Sequence, residues 1–176
     1  APNWDRKRKL MRSPINGSRG PRHEMSAEDW VNHRPVLAEY LVPWEDFPGL
    51  KGGDPFEKVD WNDDEVFAQV LKLLNERVAQ GDGPLNLLAT TLVTHAYLFT
   101  GESKYRKWVL DYLEAWAERT QRNGGITPDN VGLSDRIGEM MDGKWWGGYY
   151  GWRWPHGFMN LIQSALIGGA NGVLVS

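Results

Sequence analysis

Three helical stretches in the second half of the chain alternate in character, and that alternation limits the fold more than any other feature. Pro84 suits the first turn of a helix, and Leu85 to about Phe99 follows as LNLLATTLVTHAYLF, apolar on nearly every face. A helix of that kind is buried on most sides. Gly101 stops it, and Ser103 can cap a helix whose Tyr105, Trp108, Tyr112, Leu113 and Trp116 make it amphipathic until Gly124 ends it. The last stretch, Phe158 to Ser176, is again apolar nearly all round, with Gly168, Gly169 and Gly172 placed where a neighbour packs closely. Buried, amphipathic, buried is the order of stacked helical hairpins in which one ring lies inside another. The fold class this predicts is all-α, helical hairpins with a long aromatic-rich loop.

Upstream, Asn62 can cap a further helix, the acids after it suit the positive end of the dipole, and Val66, Phe67, Val70, Leu71, Leu74 and Val78 trace one stripe before Gly81. Ser26-Ala-Glu-Asp29 resembles a capping box with Asp in place of Glu and predicts a short helix that Pro35 interrupts. Residues 43–61 hold three prolines and three glycines and read as irregular. Residues 1–25 show no apolar period and are predicted as an extended basic arm, with 26–176 forming the helical domain. Ala96 to Thr100, followed by Gly101, also aligns loosely with Gly172 to Ser176, where the sequence stops. The expectation is a toroid cut short at its C-terminus, whose last helix lacks an outer partner and supports self-association.

The run LLATTLVTHAYLFTGESKYRKWVLDYLEAWAERT resembles the helical-pair repeat of (α/α)-toroid carbohydrate-active enzymes, the glycoside hydrolases and polysaccharide lyases. The resemblance covers roughly residues 62–176 and implies an architecture more than a reaction. It also implies a substrate cleft at the end of the toroid where the inner helices begin. The loop Gly125 to Trp154 enters the helix that starts near Pro155, so it would sit at that end.

That loop carries an unusual composition. Between Trp145 and Phe158, seven of fourteen positions are aromatic and four are glycine. Neither a helical nor a strand period fits, so the run reads as a shaped loop offering rigid rings with polar tips to a ligand. Trp145, Trp146, Trp152, Trp154, Asn130, Asp129 and Lys144 are the candidate substrate-binding residues. A loop of this length inside a compact domain is usually functional.

Two reactions stay open. Glycoside hydrolysis needs two carboxyl groups about 5 Å apart for retention or about 6.5–9.5 Å for inversion, and Asp129, Asp135, Glu139 and Asp142 lie on the loop. Asp135 and Glu139 are the candidate catalytic acids, and Pro128-Asp129-Asn130 is good turn chemistry, which counts against Asp129 as an acid catalyst. Elimination from a uronic acid needs a base, an acid and a group that neutralises the carboxylate. Tyr149, Tyr150 and His156 could supply the first two, and Arg153 or Asn130 the third. The resemblance implies a similar Tyr, His, Arg and Asn set.

Other chemistries lack their residues. The histidines at 23, 33, 95 and 156 have no metal spacing, and P-loop, dinucleotide and nucleophile-elbow motifs are missing, so no cofactor and no metal are expected. Residues 1–22 carry seven Lys/Arg against one Asp, but residues 23–82 carry fourteen acids against five bases, which argues against a nucleic-acid partner. No apolar run reaches membrane-spanning length. Ala1-Pro2-Asn3 lacks an initiator Met, as a processed chain would, and a secreted or periplasmic location is expected. The reading is a protein that cleaves a poly- or oligosaccharide in a cleft lined by residues 125–157. The alternative is a non-catalytic glycan-binding or scaffold protein.

Overall fold

The computed structural model describes residues 3–37, 40–41, 44, 46–47, 58–148, 150–152 and 157–176. About 50% of these lie in helices and 12% in strands, so the fold is mixed α/β and the all-α expectation is overturned. Four antiparallel pairs account for the strands: β1 (Trp4–Asp5) with β2 (Leu10–Met11), β3 (Ile15–Gly17) with β4 (Gly20–Arg22), β5 (Tyr40–Leu41) with β6 (Lys58–Val59), and β7 (Gly81–Asp82) with β8 (Val131–Gly132). None exceeds three residues. Alternation needs at least four residues to register, so these pairings leave no period in the sequence. What forms them is turn geometry, as where Gly20 takes φ +88° to close β3 onto β4 with Gly17 opposite Gly20.

Residues 3–22 are therefore folded into two hairpins rather than extended. Leu10 and Ile15 are buried. The Ser13 amide donates to the Gly81 carbonyl at 2.8 Å, and Arg12 Nε donates to the Ala79 carbonyl at 2.5 Å. The basic side chains that suggest a solvated arm thus ride on a backbone pinned to the core. The turn at Ala27–Trp30 is a single 3-10 turn, and the Ser26 amide and hydroxyl both donate to Asp29 Oδ2.

α1 (Asp64–Leu73) is capped by Asp63, whose carboxylate accepts from the Glu65 and Val66 amides at 2.9 and 3.0 Å. It runs into one π-turn over Leu74–Val78. Phe67, Val70 and Leu74 are buried against Ile15, Met25, Trp30, Trp44 and Trp61. Burying a tryptophan such as Trp61 removes roughly 150–250 Å² from water, about 4–6 kcal/mol at ~25 cal/mol/Å².

Pro84–Leu88 form a 3-10 turn that leads into α2 (Ala89–Thr100). Gly101, at φ +69°, closes α2 by donating to the Tyr97 carbonyl. α3 (Ser103–Arg122) follows, with Glu102 rather than Ser103 at the N-cap position, and α4 (Phe158–Val175) completes the layer. Leu113 faces Gly168 and Gly172, while Arg106 Nε donates to the Val175 carbonyl, so α4 runs antiparallel to α3. Leu87 meets Gly168, and Asn171 Nδ2 donates to Thr90 and Thr91 Oγ1 at 2.9 and 3.0 Å, so α4 runs parallel to α2. A Cβ at Gly168 or Gly172 would come within 3.0 or 2.8 Å of Leu113, whereas one at Gly169 would meet nothing. Two of the three glycines therefore set helix spacing.

α2 and α4 differ from the sequence expectation in burial. Each buries one stripe, Thr90 and Thr94 on α2 and Leu161, Ser164, Gly168, Asn171 and Val175 on α4. Leu92, Phe99, Leu166 and Val173 stay exposed, and so does His95.

Candidate functional site

Asp129 organises the aromatic loop. Its side chain is buried, and its carboxylate accepts from the amides of Gly147 (2.9 Å), Gly148 (3.0 Å) and Trp152 (2.8 Å) and from Asn130 Nδ2 (2.9 Å). Three backbone amides converging on one carboxylate make a nest, which gathers residues 147, 148 and 152 around the anion. The backbone of Asp129 adds a further tether, since its own amide donates to the Trp145 carbonyl at 2.9 Å. Glycine is required here on steric grounds. A Cβ on Gly148 would lie 2.8 Å from Asp129 Oδ1, and one on Gly151 would collide with the carboxylate itself. Burial raises the Asp129 pKa above its ordinary value, while Asn130 and the three amides pull it back.

The loop then presents its rings. Trp152 Nε1 donates to the Thr127 carbonyl at 2.8 Å, and Trp145 meets Trp152 edge-on with centroids 6.4 Å apart. Lys144 Nζ stands 5.8 Å over the Trp146 ring. Trp145, Trp146 and Trp152 are all half-buried, so each keeps part of its surface in water. Tyr150 sits at φ +56°, a conformation unusual for an aromatic residue, and packs against the core cluster around α1.

Behind the loop lies a small cavity of about 40 Å³, lined by Ser13, Arg77, Asp82, Asp129, Asn130 and Met141 among others. That volume holds one or two waters, not a sugar ring. A saccharide would have to lie across the half-exposed rings. Asn130 Oδ1 is buried without a protein partner, while its Nδ2 is committed to Asp129 and to the Lys144 carbonyl at 3.1 Å. The Asn130 amide therefore has no free donor for a uronate, the role sequence reasoning gave it.

The two candidate acids are tied elsewhere. Asp135, at φ +70°, accepts from Arg119 Nε and Arg122 Nη2, each at 2.9 Å. Glu139 accepts from Arg136 Nη2 (2.9 Å) and from the Ser134 hydroxyl (2.7 Å) and amide (3.1 Å). Arg136 first and then Ser134 hold the Glu139 pKa below its ordinary value, so it stays ionised and is a weaker base than a free carboxylate. Tyr149, Arg153, Trp154 and His156 lie outside the described residues. Among the described residues, no group of three or more His, Cys, Asp or Glu is placed to hold a metal ion.

Sequence reasoning missed a buried polar cluster. Asp82 accepts from Tyr112 Oη (2.8 Å), Asn86 Nδ2 (2.9 Å), the Met11 amide (3.0 Å) and Arg119 Nη1 (3.4 Å). Arg119 Nη2 also donates to the Arg8 and Lys9 carbonyls at 3.2 Å each. Desolvation pushes Asp82 up to about 6, against the opposing pull of Arg119. The signal was legible: Arg119 stands on the same stripe as Val109, Tyr112 and Trp116, where a solvated arginine would not.

The site is thus a carboxylate-nested aromatic loop set on a mixed α/β frame. The chain belongs to the family described as Domain of unknown function (DUF8034), whose model matches residues 1–176. No curated protein and no solved structure matches it.

Proposed function

We propose that this protein is carbohydrate-active and takes a poly- or oligosaccharide across the loop at 145–152. One observation carries the reading: the Asp129 nest fixes a loop that leaves Trp145, Trp146 and Trp152 half-exposed with Lys144 over Trp146. Sugar rings present axial C–H faces that stack on indoles, and a rigid platform loses little entropy on binding. The same rings would serve a non-catalytic glycan-binding protein. That reading gains weight because Asp129, Asp135 and Glu139 each already have a set of donors.

Cleavage is the second reading, with Glu139 as its carboxylate. A carboxylate held ionised on this loop could act as a nucleophile. The test is affinity electrophoresis on neutral and uronate-containing polysaccharides, with reducing ends and unsaturated-uronate absorbance followed in parallel. Retardation lost in Trp145→Ala and Trp146→Ala supports the site. Products lost in Glu139→Gln with retardation kept assign cleavage. No retardation and no products on any polysaccharide would overturn the proposal.

A further inference from the structure

Trp145 and Trp152 meet at a right angle, with planes 86° apart and centroids separated by 6.4 Å. Both are half-buried, so each ring keeps part of its surface in solvent. Hydrogen bonds on both sides hold this corner. The Trp145 carbonyl accepts from the Asp129 amide at 2.9 Å, and the Trp152 amide donates to Asp129 Oδ2 at 2.8 Å. Asp129 thus places the backbone of both tryptophans. The Trp152 indole in turn donates to the Thr127 carbonyl at 2.8 Å, and turning that ring to lie parallel with Trp145 would break the bond.

The angle selects the physical state of a saccharide. In a crystalline polysaccharide the chains lie side by side and offer their sugar faces in one plane, so a protein that adsorbs there needs its rings coplanar. Two indoles at right angles can set only one face against such a plane, and the other stands up as a wall or covers the first. A single hydrated chain has no neighbouring chains to collide with that wall. One of its sugar rings can stack by its C–H face on one indole while its rim meets the other, and a corner held in advance loses little entropy on binding. The Lys144 ammonium, 5.8 Å over the Trp146 ring, adds three hydrogen-bond donors for the hydroxyls that a free chain exposes on every side.

We infer that the Trp145–Trp152 corner takes a single solvated glycan chain and not the face of a crystalline polysaccharide. This rests on the carbohydrate reading above and names the state in which that substrate is bound.

The test pairs polymers of one backbone chemistry in two states. Soluble hydroxyethyl cellulose is set against microcrystalline cellulose, and soluble glycol chitin against crystalline chitin, with soluble glucomannan and alginate added to vary the sugar. Affinity electrophoresis of the whole chain reads the soluble polymers, and depletion from the supernatant reads the powders. The expected result is retardation in one or more soluble polymers without depletion onto either powder. Trp152→Phe keeps a ring but loses the indole N–H, and should weaken binding about fivefold, the factor that one net hydrogen bond supplies, with far-ultraviolet dichroism unchanged. Depletion onto a crystalline powder would overturn the inference and leave the carbohydrate reading in place. Undiminished retardation in both Trp152→Phe and Trp145→Ala would also overturn it, since the chain would then lie elsewhere. Silence on every polymer, soluble or crystalline, would remove the carbohydrate reading and this inference with it.

Discussion

Replacing Arg119 by methionine removes the centre of the buried polar cluster while keeping most of its aliphatic volume. The guanidinium is fully buried and joins Asp82, Asp135 and the carbonyls of Arg8 and Lys9. Deleting one partner of a buried ion pair costs about 3–5 kcal/mol, because the other charge stays behind uncompensated. Here the stranded charge is Asp82, whose ionised form Arg119 helps to stabilise. The folded pKa of Asp82, about 6, lies above its ordinary 3.8, so the folded state holds this proton more tightly than the unfolded state. The resulting stability is fully present below about 3.8 and is lost as pH rises to about 6, roughly 3 kcal/mol in all at 1.36 kcal/mol per pKa unit. Without Arg119 the folded pKa climbs further and the loss continues to higher pH. The deficit of Arg119→Met should therefore be larger at about pH 7 than at about pH 5, by about 1 kcal/mol or more. Urea unfolding at both pH values, followed by tryptophan fluorescence, measures it. A deficit below about 1 kcal/mol, or one equal at both pH values, would refute the reasoning.

Three further outcomes follow from the same geometry. Asp82→Asn should flatten the fall in stability between about pH 4 and pH 6 that wild type owes to this group, and a variant with an unchanged pH profile would exclude Asp82 as its source. Asp129→Ala orphans the Gly147, Gly148 and Trp152 amides at a cost of about 2–4 kcal/mol, and hydrogen exchange should accelerate at those three amides before any in α3. Gly151→Ala drives a methyl into the Asp129 carboxylate and should lower thermal stability more than Gly124→Ala, where the space is open and only φ +71° is at stake, about 1 kcal/mol. Equal effects at the two glycines would show that the loop yields.

How much of this was legible depends on the range of the force involved. The helices are local objects, and Val66, Phe67, Val70, Gly101 and the stripe of α3 marked them. The hairpins at residues 3–22 left no trace, because two-residue strands carry no alternation and their stability comes from residues some 70 to 110 positions away. The burial of α2 and α4 was over-read for a related reason. Composition shows that a helix avoids water but not whether a neighbour exists to cover it. On the loop, the aromatic cluster at 145–152 was evident, and so was Asp129, but as a turn former. Its nest depends on three amides some 18 to 23 residues distant, and no local pattern announces that.

The hydrogen bonds from Arg119 to the Arg8 and Lys9 carbonyls span 111 and 110 residues. At about 5–20 residues per second, the ribosome adds Arg119 roughly 5–20 seconds after the first hairpin. During that interval Leu10, buried in the finished molecule, has no α3 to pack on, and no guanidinium holds the turn between β1 and β2. The hairpins at residues 3–22 are thus made before the helix that fastens them, and synthesis leaves a window in which a chaperone or a protease meets them before their own fold does.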